Sequence, residues 1–143
     1  MNNRTVENDE QPGSLLMPQI KINQLKYEID MWKRLLAFMM DENIFLKNRL
    51  IEILKGSFNN VNISNIEDFQ NCFVKKDETI NVLRNDLAEI DKLIFADIDF
   101  DNTANTNIHN KLENIRKHIS LLEKEFSQLK IEFNRYLLNN VYS

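Results

Sequence analysis

"EIDMWKRLLAFMMDENIFLKNRLIEI", Glu28 to Ile53, is the stretch that decides the fold. Its apolar residues fall at Ile29, Trp32, Leu36, Met39, Leu46, Leu50 and Ile53, and the series passes through Asn43. The steps are three and four throughout, which places all of these side chains on one face of a helix with the repeat of helices that pack along their length. Upstream the same seam continues through Leu25 to Ile22. Pro18 suits a first helical turn, where its missing N–H costs nothing, and Gly56 follows "EILK" where a left-handed C-terminal cap is expected. The spacing predicts a first helix over about 18–55. Residues 1–17 are polar and acidic, carry the Pro12-Gly13 pair, and read as a flexible tail without the apolar run of a secretory signal.

Two further seams repeat the rule. Ile66, Phe69, Phe73, Lys76, Ile80, Leu83, Leu87, Ile90 and Ile94 predict a helix over about 65–96, opened by the capping box "SNIE" at Ser64 to Glu67. Ile108, Leu112, Ile115, Ile119, Leu122, Phe126, Leu129, Phe133 and Tyr136 predict a helix over about 106–140. Three helices of about 35 residues reach roughly 50 Å each at 1.5 Å per residue. Their matched lengths and short connections favour an all-α, antiparallel up-down-up three-helix bundle spanning 18–143 as a single domain.

Composition agrees. Among 143 residues there are 2 Gly and 2 Pro, so tight turns are scarce and the elements must be few and long. A hydrophobic fraction of 43% supplies a core, and 28% charged residues a solvated surface. The net charge of -4 disfavours a nucleic-acid partner, which calls for a basic face. The longest membrane-like run, "LLAFMM" at Leu35 to Met40, is far short of a span. The single cysteine, Cys72, cannot form an internal disulfide or a paired-cysteine metal motif; it reads as a small semi-buried side chain in a reducing, cytoplasmic compartment.

Two positions break the apolar rule, Asn43 and Lys76. Folding the first hairpin about residue 60 sets position 43 opposite roughly position 77, so the two exceptions share a layer. The expectation is a polar core layer of Asn43 and Lys76, with Glu42 or Glu125 neutralising the lysine, whose stem could also carry its amine out to water. Helix 1 has more apolar residues than its seam needs. Met31, Leu35, Phe38 and Phe45 form a second strip beside it, with Ile44 and Ile51 further round and Leu137, Leu138 and Val141 adding apolar surface late in helix 3. Met31, Leu35, Phe38 and Phe45 are the candidate surface for self-association or a protein partner, the alternative being ordinary core on a helix that contacts two neighbours.

Asp97, Asp99 and Asp101 alternate as the first ligands of a calcium loop do, but the twelfth position, where such a loop has a bidentate Glu, is Ile108. A turn rich in Asp, Asn and Thr accounts for the stretch, with Phe100 folded down on the bundle end and weak calcium binding as the alternative. His109 and His118 fall beside the seam, and no Glu-x-x-His pair of a di-metal bundle is present, "EIDM", "EILK" and "ENIR" all lacking the histidine. There is no phosphate loop and no nucleophile elbow, so no catalytic residue, cofactor or resident metal is expected.

Within helix 1 the quoted stretch, with "EDFQNCFVKKDETINVLRNDL" in helix 2 and "LEKEFSQLKIEFNRYL" in helix 3, resembles a group of uncharacterised small three-helix, coiled-coil-like proteins of Bacteroidetes-type bacteria. The similarity covers most of residues 25–138 and consists of heptad positions and a few polar residues. It implies a helical fold, no established activity and no catalytic residues to carry over. The functional expectation is a non-enzymatic helical scaffold or protein-protein interaction module that binds itself or another helical protein, without nucleic acid or membrane. The alternative is a ligand- or metal-binding bundle with a stress-related or sequestering role.

Overall fold

The computed structural model describes the backbone of residues 2–56, 62–96 and 102–142, and side chains over 22–56, 62–94 and 107–142. Three helices make up the fold: α1 (Asn2–Lys55), α2 (Ile63–Ala96) and α3 (Asn102–Asn140). No strand occurs among the described residues. The helices pack against one another as an all-α three-helix bundle, in which α2 runs antiparallel to both α1 and α3.

The heptad seams become the core. Leu25, Ile29, Leu36, Met39, Leu46, Leu50 and Ile53 from α1 meet Ile66, Phe73, Ile80, Leu83, Leu87, Ile90 and Ile94 from α2. From α3 the core takes Ile108, Leu112, Ile115, Ile119, Leu122, Phe126, Leu129 and Phe133. Ile22, Trp32, Phe69 and Tyr136, also on the seams, are half-buried against them. Fully burying one such side chain is worth roughly 1.5–3 kcal/mol, so stability comes from the accumulated seam and not from any single contact. Near the α2 N-terminus the core turns aromatic. Phe133 stands edge-on to Phe69 and Phe73 at 5.1 Å from each, and Tyr136 tilts against Phe69 at 5.4 Å.

Polar flanks fix how the helices align. Between α1 and α2, Lys33 pairs with Asp91 at 2.7 Å, the Arg84 guanidinium donates to the Met40 sulfur at 3.1 Å, and Lys47 pairs with Asp77. Each seven-residue step up α1 is matched by a seven-residue step back along α2, as antiparallel packing requires. Between α1 and α3, Arg116 forks onto both carboxylate oxygens of Glu28 at 2.7 and 3.0 Å, and Lys130 reaches both oxygens of Glu42 at 3.0 and 3.2 Å. Both pairs are separated by 88 residues, so α1 and α3 run parallel in one register. The hydrogen bonds that Arg116 donates to Glu28 raise its pKa above the already high ordinary value, against burial and with help from Glu113, so the guanidinium stays charged. Its face also covers the Trp32 ring at 5.7 Å.

Helix ends depart from the sequence expectation. α1 begins at Asn2, so it includes the Pro12-Gly13 pair on which the expected tail rested, and α3 begins at Asn102, four residues before the expected start. α2 is capped by Asn62 and not by Ser64. The Asn62 Oδ1 accepts from the Ser64 N–H at 2.9 Å, the bond an N-cap makes to the second helical residue. The Asn62 N–H in turn donates to the Tyr136 hydroxyl at 3.2 Å, tying the start of α2 to the end of α3. Gly56 does not adopt the left-handed cap, since no described glycine has positive φ. Its N–H continues the ladder, bonding the carbonyls of Glu52 and Ile53 at 3.1 and 3.2 Å.

Candidate interaction surface

The middle of the bundle holds the predicted polar layer, and its wiring can be read atom by atom. Asn43 is the one buried polar residue among the described core, fully enclosed. Its Nδ2 donates to Asp77 Oδ1 at 2.6 Å and to the Phe73 carbonyl at 2.8 Å. Asp77 takes Lys47 on its other oxygen, so one carboxylate bridges a buried amide and a half-exposed ammonium. The Asn43 Oδ1 has no hydrogen-bond partner, leaving the layer incompletely satisfied. Lys76 lies beside this group and sends its amine to Glu125 at 3.0 Å, with its side chain 17% exposed. Of the two carboxylates expected to neutralise Lys76, Glu125 does so, while Glu42 serves Lys130. Asn43 and Lys76 thus share a layer without bonding each other. Asp77, one residue after Lys76, links Asn43 to α2; its acceptor role was legible only from the pairing of positions 43 and 77.

The layer's ions are paired with opposite charges and the Lys76 amine is held by a carboxylate, so the layer aligns the helices. Among the described residues no three His, Cys, Asp or Glu side chains gather as a metal site. Asp97, Asp99, Asp101 and Phe100 lie outside the described residues. His109 and His118 are exposed on the flanks of α3. Cys72 is exposed, and not semi-buried as its type suggests, because it sits on the α2 flank facing the open groove towards α3. That groove also presents Asp68, Glu132 and Arg135. A neighbouring groove along the same seam presents Glu78, Asp86 and Glu125.

The outer face of α1 differs in kind. Once the seam faces inward and the flanks have paired, Met31, Phe38 and Phe45 remain on a line that touches neither α2 nor α3 as core. Phe38 is 62% and Phe45 69% exposed, and Met31 is also exposed. The line covers about 21 Å at 1.5 Å per residue. Tyr27 is exposed one step round the helix from it, and Ile44 and Ile51 further round the same way. Leu35 does not belong to this surface. It is half-buried against the core, because it stands on the same flank as Glu28 and Glu42, which face α3. In α3, Leu137 is likewise core and Val141 packs against it, leaving Leu138 exposed. Two phenylalanines held in water one heptad apart forgo roughly 1.5–3 kcal/mol each that burial would supply.

No helix among the described residues is long and apolar enough to cross a membrane. No family model, curated protein or solved structure matches the chain.

Proposed function

We propose that the chain is a non-enzymatic helical scaffold, a protein-protein interaction module whose docking surface is the outer face of α1. The observation that carries this reading is the exposed line Met31, Phe38 and Phe45 on a helix whose inward face is already fully engaged. Helical partners suit it, because residues one heptad apart on a straight helix offer a ridge that another helix can flank over several turns. The paired flanks and the polar layer hold α1 rigid and in one register, so the ridge is pre-formed and little ordering entropy is lost on docking. A free, exposed Cys72 fits work in a reducing, cytoplasmic compartment.

A photo-crosslinking residue at Phe38, in the full chain expressed in the cells that make it, tests the reading. Covalent protein adducts are expected at 38 and not at Glu123, an exposed position on α3. Equal capture at both positions, or none at either, would sink it.

A further inference from the structure

Two lines of side chains run along the outer face of α1, each stepping by seven. One is Met31, Phe38 and Phe45; beside it run Tyr27, Arg34, Asp41 and Asn48, all exposed. Arg34 and Asp41 supply the charges of this second line. Glu28, Lys33, Glu42 and Lys47, which flank the seam, are each paired with α2 or α3. Arg34 and Asp41 have no ion-pair or hydrogen-bond partner among the described residues. They are opposite in sign and one heptad apart, about 10 Å along the axis, too far to meet each other directly.

A two-fold axis solves both lines at once. Rotation about a point beside Phe38, perpendicular to α1, lays a second α1 antiparallel on the first and keeps each line on its own side. On the apolar line Phe38 then meets Phe38 of the second copy, and Met31 meets Phe45. On the polar line Arg34 meets Asp41, Asp41 meets Arg34, and Tyr27 meets Asn48. The centres required by the two lines differ by half a residue, less than about 1 Å. A parallel two-fold would carry each line to the opposite side, setting the polar line against the apolar one with no Arg34–Asp41 pair.

We infer that the partner of this surface is a second copy of the chain, docked antiparallel through α1 about a two-fold at Phe38, with the Arg34–Asp41 pair made twice. This rests on the interaction-module reading and names its partner. The ion pairs set orientation and register, while Met31, Phe38 and Phe45 supply the burial.

Sedimentation equilibrium of the full chain across micromolar to millimolar concentration reads the association. Arg34→Asp and Asp41→Arg each place like charges in both reciprocal pairs, so each is expected to weaken the dimer about tenfold or more. Mixing the two variants restores a heterodimer, and the double change R34D/D41R in one chain restores the homodimer. A dimer that the single changes weaken but that the double change does not restore would overturn the geometry. So would a dimer insensitive to every charge change. Both residues are exposed, so unchanged thermal melting of each variant at dilution shows that folding is intact. If the wild-type chain stays monomeric while the crosslinker at Phe38 still captures a different protein, the second-copy inference falls and the module reading stands. A monomer with no adduct at Phe38 removes both.

Discussion

Two neighbouring layers of the core solve the same packing problem in opposite ways. In the aromatic layer Phe69, Phe73, Phe133 and Tyr136 interlock with ring centroids 5.1–6.5 Å apart and leave only one hydroxyl to satisfy. One or two turns away Asn43, Asp77, Lys47, Lys76 and Glu125 trade apolar contact for directed bonds, and one buried oxygen goes without a partner. Aromatic packing is deep in energy but tolerant of small shifts along the helices. The polar layer contributes less and tolerates almost no shift, because Asn43 reaches Asp77 in one alignment only. The first layer holds the helices together, and the second says where along each other they stop.

The contrast can be broken by substitution. Phe133→Ala, which empties the aromatic layer, is expected to cost about 3–5 kcal/mol in urea unfolding; a loss below about 1 kcal/mol would mean that the rings are not the main glue. Asp77→Ala strips Asn43 and Lys47 of their shared acceptor while part of the site stays open to water, and should cost about 1–2 kcal/mol by the same measurement. Asn43→Leu removes the unpartnered oxygen and leaves Asp77 with Lys47, so unfolding should rise by about 1 kcal/mol. The gain should come with looser alignment, seen as broadened or doubled amide resonances in α1 and α2. A sharp single spectrum would show that register is set elsewhere. Lys76→Leu should raise the melting temperature least, by the equivalent of about 0.5 kcal/mol, because the Lys76–Glu125 pair it removes is partly screened by solvent. A clear fall would show that this pair stabilises more than the packing that replaces it.

Much of the fold was legible because a heptad pattern is a direct image of burial. Every apolar seam position from Leu25 to Tyr136 lies in or against the core, and the pairing of 43 with 77 followed from the hairpin alone. What escaped the sequence was set by context. Ser64 has the chemistry of a cap, but so does Asn62, and only the position of the first backbone bond, from Ile66 to Asn62, decides between them. Leu35 and Phe38 are equally apolar three residues apart, yet one faces α3 and the other water, a difference set by where α3 lies. Arg34 and Asp41 look like any helix-surface charges until the flanking charges are seen to be already taken.

The contact between Arg84 and the Met40 sulfur, modest as a bond, makes the first hairpin self-checking. Along α1 the flank carries plus, neutral, plus at Lys33, Met40 and Lys47; along α2 the facing positions carry minus, plus, minus at Asp91, Arg84 and Asp77. Slide either helix by one repeat, in either direction, and a lysine arrives opposite Arg84. The hydrophobic repeat alone would accept those misalignments, since seven residues on it presents another apolar ridge. The lone cation of α2 in this row works as a proofreading mark, silent when it lies over a thioether and repelled when the chain is one step out of phase.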